Sequence, residues 1–409
     1  MGSVVICREH RLAVVASTGA MTVGQVIMLA LTPLSRASGT FATSSGVAII
    51  APDSSYYLRP SGLSEVLALP WTRWGYPLLL QLNLGIIDRA AVGVLVNALA
   101  LVIAGALLFH VTRQIGGTVA AAAALAVLSV NPMTAQWVRI VMTESVFFAT
   151  VAIACSLSIR LLSLHPRRTD AMALLLVAMF AATTRPNGFL VTFSALIVLV
   201  LASVRSLRLR IAAGVLLAVF IVPAGLLAHA ASGPPAEGSL TSQLYAGVVI
   251  EGTDHVRTTI RMPAPRDVRD ESLGAGARYA LDHPLATLRL GSTRLAAETL
   301  QVRRHYPGIV NLGFGIGILV LLVAVATGWR DERSRTPRRV FLVMGLPLML
   351  LTMATFAVPE SRYGWAYLIA SSPLAGIGVA RVSERRARAQ MRSTDRVEAG
   401  TPDPVEGDR

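Results

Sequence analysis

The stretch "GIVNLGFGIGILVLLVAVATG", residues 308–328, contains no charged side chain and decides the class of fold. An α-helix rises about 1.5 Å per residue, so a run of this length can cross a hydrocarbon core of about 30 Å. Similar runs recur along the chain, and the sequence predicts about ten membrane-spanning helices. They lie near residues 12–33, 90–110, 116–131, 144–163, 170–184, 188–203, 211–231, 308–328, 340–358 and 364–380.

The composition agrees with a membrane protein. Hydrophobic residues make up 54% of the 409 residues and charged residues 15%, whereas soluble domains contain about 25% charged residues. The formal net charge is +14, and every basic residue is arginine. These arginines lie between apolar runs, so lipid headgroups and membrane orientation explain them better than nucleic-acid binding. The two cysteines predict neither a disulfide framework nor a metal site.

The distribution of arginine predicts the orientation. The short turns near 132–143, 185–187 and 359–363 carry one arginine each, whereas segments such as 330–339 carry several. Cytoplasmic loops are enriched in basic residues, so we expect both termini in the cytoplasm of a plasma-membrane protein. The sequence therefore predicts one all-α membrane domain over residues 1–392, followed by a disordered cytoplasmic tail over 393–409.

Two alternatives in this layout stay open. The first apolar run, preceded by Arg8 and Arg11, could be a signal peptide, although it is longer than the usual h-region. Residues 170–203 could form one helix kinked at Pro186. That helix would be roughly 50 Å long and would place the basic "RSLRLR" outside, so we favour two short helices with a tight outer turn.

Two large segments are predicted to be extracytoplasmic, 34–89 and 232–307. The second ends in "ARYALDHPLATLRLGSTRLAAETL", residues 277–300, in which four leucines fall on one helical face. This pattern predicts an amphipathic helix near the membrane surface. The leucines are Leu281, Leu285, Leu288 and Leu295, and the arginines expected to meet lipid phosphates are Arg278, Arg289 and Arg294.

Polar residues gather on the predicted outer side. They occur in "PDSSYYLRP" (52–60), in "TRWGYPLLLQL" (72–82), at the start of the fourth span, and in the two later outer turns. Each group alone could reflect loop solvation, an aromatic belt, a helix cap or an interface anchor. Together they predict a substrate cavity. The residues are Asp53, Tyr56, Tyr57, Arg59, Arg73, Trp74, Tyr76, Glu144, Arg185, Arg362 and Tyr363.

These residue types suit a phosphate carried on a lipid. Arginine binds phosphate through paired donors and stays charged at any working pH. A partly desolvated carboxylate can accept a hydroxyl proton. We therefore expect a carboxylate of this cavity to accept a proton and its arginines to hold a phosphate. The aromatic side chains would contact the sugar or the lipid chain.

The order of these motifs resembles the GT-C superfamily of integral-membrane glycosyltransferases, in particular the protein-mannosyltransferase-like branch. The matching pieces are "PDSSYYL", "RWGYPLLL", "TESVFF", "TRPNGFLV", "DHPLATLRL" and "SRYGWAYLIASSPLAG", which extend from about residue 50 to 380. The resemblance implies an inverting transfer outside the cytoplasm from a polyprenyl-phosphate sugar. It puts Asp53 in the position of the catalytic acid, where it would act as general base. Arg73, Arg185 and Arg362 would then stabilise the departing polyprenyl phosphate. Many members have two adjacent acids there, whereas Ser54 follows Asp53 in this chain.

The sequence thus predicts a glycosyltransferase whose partners are a polyprenyl-phosphate sugar, membrane lipids and an extracytoplasmic glycan, lipid or protein acceptor. No metal, no cofactor and no nucleic-acid partner is predicted. Two rivals stay open: a transporter or lipid flippase, and a non-catalytic envelope scaffold. Ionisable residues at mid-membrane and internal repeats would favour a transporter, and the missing second acid would favour a scaffold.

Overall fold

The computed structural model describes residues 11–27, 43–45, 48–50, 54–81, 88–163, 167–203, 240–250, 257–265, 267, 269–270, 272–300, 308–355 and 365–399. Nearly all of these residues are helical, as the apolar composition predicts. The structure therefore agrees with an all-α membrane protein.

The helices in the described parts of the chain are α1 (Arg11–Ile27), α2 (Ser54–Leu58), α3 (Leu63–Leu67), α4 (Gly75–Leu80), α5 (Arg89–Leu125), α6 (Pro132–Ala135), α7 (Glu144–Ser163), α8 (Arg168–Thr184), α9 (Gly188–Ser203), α10 (Leu240–Tyr245), α11 (Leu273–Asp282), α12 (Pro284–Leu300), α13 (Gly308–Trp329), α14 (Arg335–Val340), α15 (Leu346–Ala354) and α16 (Trp365–Ala399). Two antiparallel hairpins accompany them, β1 (Thr43–Ser45) with β2 (Ala48–Ile50) and β3 (Val248–Ile250) with β4 (Thr258–Thr259).

Within the described residues, five helices are long and apolar enough to cross a membrane. They are Arg89–Val130, Glu144–Ser163, Asn311–Trp329, Glu332–Ala354 and Trp365–Arg392. Helices α1 and α9 are apolar but shorter. The predicted span at 211–231 lies outside the described residues. The prediction of ten spans therefore stays a prediction.

The long helix α5 is a folded-back pair of arms. Gly117 has φ 81° and ψ −179°, a conformation that interrupts the helix and that glycine adopts without a steric penalty. A Cβ on Gly105 would lie 2.8 Å from the side chain of Leu125. Twenty residues of straight helix would separate these positions by about 30 Å, so the chain reverses at Gly117 and the two arms pack together.

The second arm ends well below the start of the first. Leu125 is level with Gly105, so Val130 lies roughly 16 Å short of Arg89 along the arm. The segment 131–143, which includes the short helix α6, therefore begins inside the helical bundle. There each backbone carbonyl needs a hydrogen-bond donor. The Asn97 amide donates to the carbonyl oxygens of Trp137, Val138 and Ile140 at 3.3, 3.2 and 2.9 Å.

Helix α7 forms the centre of the bundle, and nearly every residue of it is buried. It packs between α5, α8 and α16, and α16 also packs on α13. At the α13–α16 crossing, a Cβ on Gly378 would lie 1.9 Å from the carbonyl oxygen of Ala324, and one on Gly328 would lie 1.9 Å from that of Leu374. Glycine at both positions lets the two backbones touch.

The predicted amphipathic helix in the second outer segment is divided. Helix α11 ends at Asp282 and α12 begins at Pro284, because proline fits the first turn of a helix and not its interior. Leu281 and Leu285 are about 80% exposed, as expected for a face toward lipid. The expectation that Arg294 lies exposed at the membrane surface was wrong: this side chain is buried and bonds to backbone carbonyls.

Helix α16 continues to Ala399, past residue 393 where the tail was predicted to begin. The residues added are charged and alanine-containing, and several of these types have good helix propensity. The helix thus extends from a buried segment into one whose side chains are exposed from Val382 to Arg392.

Candidate functional site

The predicted outer ends of α7 and α8 meet in a buried ion pair. Glu144 begins α7, and Arg185 directly follows α8, so antiparallel packing of these helices brings both residues to one end. An Nη1 of Arg185 lies 3.0 Å from Oε1 of Glu144. Glu144 is fully buried and Arg185 is 8% exposed. Two predicted substrate ligands are therefore brought together, and each is the other's counter-ion.

Aromatic and backbone contacts hold Arg185 in this position. Its guanidinium carbon lies 5.7 Å from the ring centroid of Phe147, one turn along α7 from Glu144. Its backbone N–H donates to the carbonyl of Ala181, at 3.3 Å, and so closes the last turn of α8. Removing one member of a buried pair usually costs about 3–5 kcal/mol. The two residues are expected to act as a unit.

The first outer segment is hydrogen-bonded to the residues that lead into Glu144. The backbone N–H of Ile49 donates to the carbonyl of Arg139 at 2.8 Å, and that of Val141 donates to the carbonyl of Ile49 at 3.1 Å. These two bonds join β2 to the segment that leads into Glu144. Helix α2 follows β2 closely in the sequence, with Ser54 fully buried at its start.

Tyr57, on α2, lies within the electrostatic reach of the ion pair. Burial raises the pKa of its phenol above the ordinary value, and the negative charge of Glu144 raises it further. The positive charge of Arg185 and a hydrogen bond with Thr143 act in the opposite direction. Tyr57 is therefore a neutral hydroxyl at working pH. Tyr57 is close enough to Glu144 and Arg185 to be affected by both charges, so it connects the first outer segment to the ion pair.

Tyr76, on α4, packs against Tyr57. The two rings meet edge to face, with centroids 5.5 Å apart and an interplanar angle of 88°. Tyr76 is fully buried, and burial raises the pKa of its phenol. Tyr57, Tyr76, Glu144 and Arg185 thus come together in one buried polar cluster, which we call the outer cluster.

The other described candidates form a more exposed rim. The Arg73 guanidinium carbon lies 5.8 Å from the ring centroid of Tyr56, which is exposed. Arg73 also acts electrostatically on Tyr57, so the rim adjoins the outer cluster. The indole N–H of Trp74 donates to the carbonyl of Leu69 at 2.7 Å, and this bond fixes the loop before α4. Arg59 is exposed.

Three of the predicted site residues, Asp53, Arg362 and Tyr363, lie outside the described residues. Their predicted roles stay predictions. For Asp53 the neighbouring elements are described: β2 ends at Ile50, and α2 begins at Ser54, the residue that directly follows it in the sequence.

Three residues of the outer cluster's surroundings were missing from the prediction: Asn97, Thr143 and Phe147. Asn97 offered a signal, because a lone amide inside an apolar span must find partners. Phe147 offered none, because a phenylalanine in an apolar helix is expected whether or not an arginine stacks on it. In the described part of the chain, no group of three or more His, Cys, Asp or Glu side chains could hold a metal ion.

These observations define the class of protein: a helical membrane protein with a polar cluster where the predicted outer ends of α7 and α8 meet. Residues 74–229, fewer than half of the chain, match the family model described as dolichyl-phosphate-mannose-protein mannosyltransferase. This confirms the predicted resemblance and supports a GT-C glycosyltransferase-like protein of the mannosyltransferase type. No curated protein and no solved structure matches the chain. The matched residues include Trp74, Tyr76, Glu144 and Arg185.

Proposed function

We propose that the protein transfers a sugar from a polyprenyl-phosphate donor to an acceptor outside the cytoplasm, such as an envelope glycan, a lipid or a protein. It would act in the plasma membrane with both termini in the cytoplasm. The observation that carries the proposal is the outer cluster. Tyr76 and the buried Glu144–Arg185 pair lie within the matched residues 74–229, and Tyr57 joins them from α2, which begins at the residue after Asp53 in the sequence.

The reaction needs a base on the acceptor side. Asp53 would accept the proton of the acceptor hydroxyl, and the freed oxygen would attack the anomeric carbon from the face opposite the phosphate. The bond between that carbon and the phosphate oxygen breaks, and its electron pair leaves with the polyprenyl phosphate. Helix α2, directly after Asp53, contacts the outer cluster through Tyr57, which supports this location for the base.

The donor phosphate needs cationic groups that gain strength as negative charge develops on it. Arg73 is suited to this role, since it lies on the rim, stacks on exposed Tyr56 and has no carboxylate partner among the described residues. Arg362 is the predicted second cation. Arg185 is ion-paired with Glu144, so its contribution to phosphate binding would be smaller. We propose that this pair mainly orients Tyr57 and the first outer segment.

The site's position also bears on the transporter alternative. In the described part of the chain, the ion pairs of the bundle lie at helix ends, as at Glu144 and Arg185, and not halfway along a span. This arrangement favours chemistry at one face over a path across the membrane.

The proposal is tested by incubating the purified full chain with a panel of polyprenyl-phosphate sugars and measuring released polyprenyl phosphate. We expect release with at least one donor when an envelope acceptor is present, and release slower by about 10²–10⁴-fold from the Asp53→Asn variant. Equal release from both proteins would reject the base assignment, and no release from any donor would reject the function.

Orientation is tested separately on a cysteine-free background. A single cysteine at position 270 should react with a membrane-impermeant thiol reagent in intact cells, and one at position 335 should not. The reverse pattern would place the outer cluster on the cytoplasmic side.

A further inference from the structure

A cavity of about 240 Å³ lies in the second outer segment, between α10, α11, α12 and the end of α15. Its lining includes Thr241, Gly276, Ala280, Thr287, Arg294 and Met353. Most of these side chains are small or apolar, so the charge of Arg294 dominates the lining. The outer cluster contributes no residue to this cavity.

Arg294 is buried and held by backbone carbonyls. Its side chain is only 2% exposed. Its Nε donates to the carbonyl of Val248 and one terminal nitrogen to that of Ala354, both at 2.7 Å, and the other terminal nitrogen donates to the carbonyl of Gln243 at 3.4 Å. These acceptors are neutral dipoles. Among the described residues no carboxylate pairs with this guanidinium.

Burial lowers the pKa of Arg294 to about 10, so the side chain still carries its charge at neutral pH. A buried charge is costly unless an opposite charge or a metal compensates it. The comparison with Arg185 shows the difference, since that buried guanidinium has Glu144 at 3.0 Å. An anion in the cavity would supply to Arg294 what Glu144 supplies to Arg185.

The donors that remain define what kind of anion fits. A guanidinium has five N–H groups, and three of the bonds from Arg294 are accounted for above. Thr287 lines the same cavity, and its buried hydroxyl has no hydrogen-bond partner among the described residues. Two N–H groups and one hydroxyl match the three terminal oxygens of a phosphate monoester better than the two oxygens of a carboxylate.

We propose that this cavity binds a phosphate group on a compact substituent, with Arg294 and Thr287 as its donors. The volume is below the range of about 300–1,000 Å³ that is usual for drug-sized ligands, so the part enclosed is small. The phosphate can belong to a soluble ester or to the headgroup of a lipid, because both present the same oxygens.

The sharpest variant fills the cavity and leaves Arg294 untouched. Ala280→Leu places three further carbons into the cavity, while the three carbonyl bonds of Arg294 stay in place. Ala296→Leu is the matched control, because Ala296 is exposed on α12 and does not line the cavity. Thr287→Val keeps the side-chain shape and removes the hydroxyl.

Binding is measured by calorimetry on the purified full chain in phosphatidylcholine nanodiscs, at constant ionic strength. The probes are inorganic phosphate, glycerol 3-phosphate and dihexanoyl phosphatidic acid. We expect the wild type to bind at least one ester. Ala280→Leu should weaken its Kd at least tenfold, Thr287→Val by about tenfold, and Ala296→Leu should leave it unchanged.

The probes separate the two sources of phosphate. Tighter binding of glycerol 3-phosphate supports a soluble ester, and tighter binding of the phosphatidic acid supports a lipid headgroup. Absence of binding by all three probes overturns the proposal, and so does a wild-type Kd in Ala280→Leu. The readout is binding and not sugar transfer, so the result does not depend on the proposed reaction.

Discussion

Helices α7 and α8 are joined by an ion pair at each end, and the surroundings of the two pairs differ. At the outer end Glu144 of α7 meets Arg185 after α8. At the inner end Arg160 of α7 meets Asp170 of α8, with Nη2 and Oδ1 also 3.0 Å apart. In both helices the acid lies in the first turn and the arginine at the C-terminal end. Each charge therefore interacts favourably with the helix dipole. The same electrostatics therefore build both pairs.

The surroundings distinguish them. The inner pair is partly exposed, with 22% of the Arg160 side chain accessible, and it bridges two helices joined by a short connection. The outer pair is enclosed by Phe147 and by Tyr57, which belongs to a distant part of the sequence. The inner pair therefore joins two neighbouring helices, whereas the outer pair also contacts residues of the proposed site.

The largest effect is expected on sugar transfer, which should depend on the proposed base Asp53 and not on Asp170 of the inner pair. Asp53→Asn keeps the shape of the side chain but removes the proposed base. Transfer should fall by about 10²–10⁴-fold, while donor affinity and expression persist. Asp170→Asn makes the same chemical change at the inner end and should leave turnover near that of the wild type. Wild-type activity in Asp53→Asn would reject Asp53 as the base and make Glu144 the next candidate.

The next effect concerns stability at the outer end. Glu144→Gln leaves the buried Arg185 without its counter-ion and should lower the free energy of unfolding by about 3–5 kcal/mol. The double variant with Arg185→Gln should lose less than the sum of the two single variants, because neither charge is then stranded. Thermal unfolding of the four proteins in detergent measures this coupling. Additive losses would show that the two residues do not act as a pair.

A smaller effect is expected on donor binding at the rim. Arg73→Ala removes one charge-assisted bond to phosphate, worth about 1.5–3 kcal/mol, which corresponds to roughly a tenfold to hundredfold weaker donor affinity. Arg278→Ala is the control, since Arg278 is 75% exposed and lies 3.5 Å from Asp270 in the other outer segment. If both variants bind a polyprenyl-phosphate sugar like the wild type, Arg73 is only an interface anchor.

The smallest effect is expected at the inner end. Asp170→Ala breaks a pair that is partly exposed, so we expect a loss of about 1–2 kcal/mol, with transfer unchanged per folded molecule. Unfolding and transfer are measured on the same preparation. A loss as large as that from Glu144→Gln would make the two ends equivalent.

The sequence predicted the class of fold because an apolar run of about twenty residues has few alternatives to crossing a membrane. It also indicated that Tyr57, Glu144 and Arg185 belong together, since all three lie on the predicted outer side. It did not predict that Glu144 and Arg185 would pair with each other. Charge and position along a helix are readable from the sequence, but the partner across the contact is set by packing.

Arg294 shows the same limit more clearly. Arg289 and Arg294 lie five residues apart on α12, and the sequence predicts that both face lipid, but only Arg289 is exposed. The structure separates them because β3, α10 and α15 cover only one face of α12. Those elements come from distant parts of the chain, so periodicity within α12 could not reveal which arginine they bury.

The shortness of α8 and α9 has a consequence for the thickness of the bilayer. Their 17 and 16 residues reach only about 25 Å, less than a hydrocarbon core of about 30 Å, so the turn after α8 would lie just below the outer headgroups. A thicker bilayer would draw Arg185 deeper and lengthen the approach of any water-soluble acceptor. Hydrophobic mismatch costs fractions of a kcal/mol per Å. We therefore expect turnover in vesicles to decline steadily as acyl chains lengthen, while detergent-solubilised protein shows no such dependence.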